Sequence, residues 1–349
     1  MSKLHSIYPQ SQKNSYTEND SIDFLLTFDD VLKPNSVYLT GELAITFAGG
    51  ATEVFCDGMC GVHNFFTSWN TEIDGTFIEN IQEYTRYYKQ KHNGLETTAQ
   101  IFSEGKGDWR ADDAMTKYIL QGLGVDPNHL PFSLQPDTCL NRMKGHIQGK
   151  PIRINTRLNV KNDALYGADV ANASYTITNL QLHYRTQELP KENDREPVEM
   201  NIVNAVRNSI VSSTHNFSSN IPLEACLGVS GCFIKESDLT TATLNSVKME
   251  QVPSLSRIEY KLADANGYLS YSLKDREEIL YNYLQAIQSR KHNAIRLQKL
   301  VDENEGFGIG LKLNGVDLSK NKISVNVASG IDNTAPYVMF LFFTGLVRL

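Results

Sequence analysis

Several features that would mark a familiar class of protein are missing from this sequence. Its longest apolar run, "APYVMFLFFTGLV" (335–347), falls short of the roughly 20 residues that a membrane-spanning helix needs. The first twenty residues, "MSKLHSIYPQSQKNSYTEND", hold no apolar segment, so no secretory signal is expected. There is no excess of positive charge: the net charge is −7, which argues against a protein that coats phosphate backbones or reads a nucleic-acid sequence. Cysteines number only five, too few and too uneven for a disulfide framework, and free thiols in a reducing compartment are the simpler reading.

Catalytic signatures are missing as well. The eight histidines, at 5, 63, 92, 129, 146, 183, 215 and 292, never lie within four residues of one another, so no helix or strand presents an adjacent pair to a metal. Gly-x-Ser-x-Gly does not occur, and neither does the Gly-x-x-x-x-Gly-Lys-Ser/Thr loop that cradles phosphates. "GFGIG" (306–310) has glycines at nucleotide-loop spacing, but it follows a helix and opens a strand, the reverse of what a dinucleotide site requires. Adjacent carboxylates at Asp29-Asp30 and Asp112-Asp113 read as solvated turn or capping residues. Cys56-x-x-x-Cys60 has no companion pair at metal-ligand spacing. The aromatic cluster Phe65, Phe66 and Trp69 in "HNFFTSWNTEIDG" could form a ligand platform, although a buried strand is the plainer reading. For Tyr84, Tyr87 and Tyr88, helix-to-sheet packing is likewise plainer than an adhesive stripe. No catalytic, cofactor-binding or metal-binding residue is assigned, and no cofactor is expected.

What is present is ordinary globular composition, 41% hydrophobic and 21% charged, with 16 Tyr and 15 Phe that suit pleated sheets. Alternation is clean in "SIDFLLTF", where Ile22, Phe24, Leu26 and Phe28 share a face, and in "SVYLTGELAITF", where Val37, Leu39, Leu43, Ile45 and Phe47 do. "KPIRINTRLNV" sets Ile152, Ile154 and Leu158 against Arg153, Asn155 and Arg157. "ASYTITNLQLHYRT" slips phase near Thr178-Asn179, which predicts a bulge. Between these strand pairs, "TFIENIQEYTRYYKQKH" reads as a helix over 76–92. Thr76 and Glu79 have capping-box spacing, Phe77, Ile81, Tyr84 and Tyr88 form the stripe, and Lys89 and Lys91 complement the dipole.

The order then repeats. "ELPKENDREPVEM" has no apolar residue between Pro190 and Pro197 and reads as a linker. Beyond it come strand-like "NSIVSSTHNF", "ACLGVSGCFI" and "SRIEYKLAD", and then a helix over 272–292 with Ser272 as N-cap. "GIGLKLNG" and "NKISVNVAS" follow, the latter with Ile323, Val325 and Val327 inward. The closing apolar segment has the composition of a central strand covered on both sides, so Phe342→Asp is expected to prevent folding. Both predicted helices end in the same tripeptide, Lys91-His92-Asn93 and Lys291-His292-Asn293. The expected organisation is a flexible arm over 1–19, a first β-sandwich over 20–189 with an insertion at about 94–150 and a short helix at "DDAMTKYILQGLG", and a second sandwich over 198–349.

This punctuation, from the pair "SIDFLLTF…SVYLTGELAITF" through the two helices to the closing strands, resembles the double jelly-roll major capsid proteins of the PRD1 and adenovirus lineage. The resemblance covers the chain after residue 20 and is one of architecture, without a diagnostic motif. It implies an all-β protein of two consecutive eight-stranded jelly rolls, each with a helix between the strands lettered F and G; the predicted helices come earlier in each half than that. It also implies a non-enzymatic structural protein of the virion, made in the host cytoplasm. Such a protein forms homotrimeric, pseudo-hexagonal tiles of the icosahedral shell of a bacteriophage or eukaryotic double-stranded DNA virus. The implied partners are copies of itself, neighbouring capsomers, minor capsid or vertex proteins and, where the shell has one, an internal membrane. The alternatives are a two-jelly-roll hydrolase resembling peptide-N-glycosidases, or a glycan-binding or vertex spike protein.

Overall fold

The computed structural model describes residues 2–48, 54–57, 60–92, 109–110, 129–188, 198–250, 252–264, 267–287 and 308–349. Among the described residues sixteen strands of six residues or more carry the architecture, eight in each half. The first eight are β1 (Ser2–Ile7), β2 (Ser21–Leu26), β3 (Tyr38–Phe47), β4 (Phe66–Ile73), β5 (Thr76–Gln82), β6 (His129–Leu134), β7 (Ile152–Leu158) and β8 (Ala173–Gln187). The second eight are β9 (Glu199–Ile210), β10 (Thr214–Ser219), β11 (Cys226–Lys235), β12 (Arg257–Asp264), β13 (Gly267–Leu273), β14 (Ile309–Val316), β15 (Lys322–Ala328) and β16 (Tyr337–Arg348). Helix α1 (Tyr84–His92) follows β5, and α2 (Arg276–Ala286) follows β13.

The sheets show that one plan is used twice. In the first half, β6-β3-β8-β1 faces β2-β7-β4-β5; in the second, β14-β11-β16-β9 faces β10-β15-β12-β13. Adding eight to each label of the first sandwich gives the second. Each helix falls between the fifth and sixth strands of its sandwich, the same place in both halves. The expected all-β class with two eight-stranded sandwiches is borne out.

Period-two segments behave as their patterns dictate. Ile22, Phe24 and Leu26 are buried on β2, as are Ile323, Val325 and Val327 on β15. The phase slip predicted near Thr178 is real: the register of β8 against β3 shifts between Thr178 and Gln181, and Asn179 takes a left-handed φ of 52°. β16 is covered on both faces. Phe343 contacts Phe217 of the opposing sheet, while Phe342 contacts Tyr87 of α1.

Three expectations need correction. The expected arm over 1–19 is not free where it is described, because β1 pairs antiparallel with Leu182–Gln187 of β8 and is the first strand of the first sandwich. Its ladder is reinforced by Ser6 to His183 at 2.7 Å, His5 to Thr186 at 2.7 Å and Lys3 to Asp30 at 2.9 Å. The first helix does not begin at Thr76. Residues 76–82 are a strand that hairpins with β4, and the helix starts only at Tyr84. The second helix likewise begins at Arg276 with Asp275 as N-cap, because Ser272 is still in β13. The linker 190–197, the short helix at 112–124 and the tripeptide 291–293 lie outside the described residues.

"GFGIG" gains a packing explanation where it is described. A Cβ at Gly310 would stand 2.6 Å from the Cβ of Ala286, so glycine is needed where α2 lies flush on β14.

Candidate functional site: the junction between the sandwiches

The edge strand of the first sandwich, β5, meets the first strand of the second, β9, through a parallel bridge between Asn80 and Asn204. This makes one continuous eight-stranded sheet, β14-β11-β16-β9-β5-β4-β7-β2, that crosses both halves.

A bulge in β5 prepares this meeting. Thr71 of β4 pairs with Glu79, but the next residue, Glu72, pairs with Phe77, so Ile78 is an extra residue. The bulge breaks alternation and turns Glu79 inward, where it is 2% exposed. There Glu79 is ion-paired to Arg142 and accepts hydrogen bonds from the backbone N–H of Cys139 at 2.6 Å and of Val203, on β9, at 3.0 Å. Arg142 also donates to the carbonyl of Asn201 on β9 at 3.0 Å and to Asp137 at 2.8 Å, and Lys91 pairs with Asp137 at 2.8 Å. Burial pushes the Glu79 carboxyl up, against the pull of Arg142.

A second cluster lies at the other face of α1. Asp57 is ion-paired to Lys89 and accepts from Asn245 of the second half at 2.7 Å and from the Cys60 N–H at 3.1 Å. Burial alone would raise the Asp57 carboxyl, but Lys89 and these donors outweigh it and leave it below the ordinary 3.8. Burial likewise works against the Lys89 ammonium, but Asp57 holds it above its ordinary 10.5. Arg86 donates to the carbonyl of Ser246 at 3.0 Å and lies over the Phe340 ring at 4.7 Å, while Tyr283 of α2 donates to the Gln90 carbonyl at 2.8 Å. Helix α1 is thus buried between the sandwiches and its cations are structural. The spacing had suggested dipole complementation for Lys89 and Lys91, and nothing in sequence disclosed their distant carboxylate partners.

The other residues singled out are dispersed. Phe65, Phe66 and Trp69 are fully buried, as are Tyr84, Tyr87 and Tyr88, so neither group is an exposed platform. Asp30 pairs with Lys3 at the surface, and Asp112-Asp113 lie outside the described residues. All five cysteines are free and buried, and burial pushes the Cys226 and Cys232 thiols up to about 12. Among the described residues no group of three or more His, Cys, Asp or Glu side chains could hold a metal ion.

The sequence matches no family model and no curated protein. The fold, in contrast, matches solved structures over the whole chain. PBCV-1 VP54 aligns with a TM-score of 0.61 at 9% identity, covering 100% of this chain and 95% of that one. The fold is a double jelly roll. The Faustovirus major capsid protein aligns at 0.58 and 8% identity, covering 100% of this chain and 90% of that one. The mavirus major capsid protein aligns at 0.55 and 9%, covering 99% and 88%. At such identities the double jelly roll is shared through its strand order and not through its side chains. In this chain the clusters at Glu79 and Asp57 fasten one roll to the next.

Proposed function

We propose that this protein is a viral major capsid protein whose homotrimer forms a pseudo-hexagonal tile of an icosahedral shell, and that it resides in the virion. The observation that carries this reading is the junction itself. Inside one chain, the outer edge of β5 receives β9. By the repeat of eight, the counterparts of these edges are β13 and β1, and among the described residues neither has a further strand partner on its outer side. Those edges leave large apolar side chains exposed: Leu269 (52%) and Tyr271 (45%) on β13, Leu4 (53%) on β1, and Tyr8 (67%) just after it. Leu269 and Tyr271 are the cross-strand partners of buried Leu262 and Tyr260, so they extend a core layer past the open side of the sandwich.

Joining β13 of one copy to β1 of the next repeats the internal junction between chains. Such a heterologous contact generates a closed ring when the rotation permits, and three chains close a ring of six sandwiches. The shared fold of the Faustovirus and mavirus major capsid proteins supports the reading. The net charge of −7 suits a shell that is not packed directly on its genome. The proposed partners are copies of the chain and neighbouring tiles, and no catalytic role is assigned. Electron microscopy of the purified protein tests this: hexagon-outlined particles with threefold symmetry are expected, and a field of isolated two-lobed monomers would sink it.

A further inference from the structure

The outer face of the first roll's β2-β7-β4-β5 sheet carries a patterned surface that the shell reading does not use. Strand register lays out a row of polar side chains across five strands: Asp23, Asn155, Asn70, Asn80 and, beyond the junction, Asn204. The next row runs Leu25, Arg153, Glu72, Phe77. Between these rows lies a depression of about 220 Å³ lined by Asp23, Asn70, Glu72, Phe77, Arg153 and Asn155.

The chemistry of the lining narrows the ligand. Asn155 Nδ2 donates to Asp23 at 3.0 Å, and Asn70 Nδ2 donates to Asn155 at 3.3 Å, so the amides stand in a relay. Asn70 Oδ1 has no hydrogen-bond partner among the described residues. Side-chain amides and carboxylates in one row offer donors and acceptors side by side, which suits adjacent hydroxyl groups that each give and take a hydrogen bond. Phe77 stands at the edge of this polar floor and is 56% exposed, so much of its ring is open to solvent. Arg153 is already paired with Asp23 at 3.1 Å, and Glu72 adds a further carboxylate, so the lining has no unpaired cation to attract an anion. A ligand with a polar hydroxylated edge, an apolar C–H face and no negative charge fits all of these features.

We propose that this depression binds a neutral pyranose residue of a glycan, its hydroxyls on the Asn70–Asn155–Asp23 row and its C–H face against Phe77. The proposal does not depend on the trimer. The bulge that turns Glu79 inward leaves Phe77 pointing outward opposite Glu72, so one backbone irregularity sets both the junction and this site. Saturation-transfer NMR on the full chain, with the methyl glycosides of glucose, galactose, mannose and N-acetylglucosamine as probes, tests it. Transfer to the ring C–H protons of at least one probe is expected, with millimolar affinity. Phe77→Ala should weaken that binding at least tenfold and Phe77→Trp should preserve it. Asn155→Ala should also weaken binding, while Tyr281→Ala, on the exposed side of α2, should leave it unchanged. Absence of transfer from every probe, or transfer that Phe77→Ala and Asn155→Ala leave untouched, would overturn the proposal.

Discussion

At the scale of single residues, the junction depends on charges that were taken out of water and then paired. Breaking a buried pair by removing one partner typically costs about 3–5 kcal/mol, because the remaining charge stays desolvated. Asp57→Asn leaves Lys89 in that position, so a loss of stability of this order is expected in denaturant unfolding. The pH dependence follows from the directions of the shifts. A carboxyl depressed in the folded state contributes stability above its unfolded value and loses it as pH falls through the folded one. The Asp57 contribution therefore disappears below the ordinary 3.8, and the Lys89 contribution only as pH climbs past 10.5. Thermal melts of the wild type should show an acid limb below about pH 4 that is flattened in Asp57→Asn. An acid limb of equal steepness in the variant would assign acid sensitivity elsewhere.

At the scale of elements, sequence patterns were readable wherever a strand has one wet and one dry face. The strict alternation in β2, β7 and β15 marked them, and the broken alternation near Asn179 marked the bulge in β8. β1 could not be read in this way. Its side chains are exposed or half-exposed throughout, so it presents no hydrophobic period and is held by its backbone ladder to β8. β5 was misread for a different reason. Phe77, Ile81, Tyr84 and Tyr88 have helical spacing only because a bulged strand and a following helix abut within one apolar stretch. Thr76 and Glu79 then imitate a capping box, although Glu79 is a buried clamp residue. The Arg142 and Asp57 partnerships join positions 63 and 32 residues apart, which no local pattern discloses. Because β1 is a structural strand, deleting residues 2–8 should lower the melting temperature and expose the edge of β8. A deletion variant that melts like the full chain would show that β1 contributes nothing to the first sheet.

At the scale of the whole molecule, the double jelly roll behaves as two copies of one module joined edge to edge, with one junction satisfied and its counterpart left open. Specific protein–protein interfaces usually bury about 1,200–2,000 Å², so the β13 and β1 edges must recruit neighbouring loops as well as their four exposed apolar side chains. Replacing Leu269 with Lys and Tyr271 with Asp puts charge on that edge without entering the core, so folding should survive while association is lost. The most direct test is the mass of the purified protein in solution by light scattering. Three times the 39.2 kDa chain mass is predicted for the wild type, with a fall to a single chain mass in the Leu269→Lys, Tyr271→Asp variant and an unchanged circular dichroism spectrum. A wild-type protein that stays at one chain mass across concentrations, or a trimer indifferent to both substitutions, would contradict the claim that the open edges repeat the internal junction.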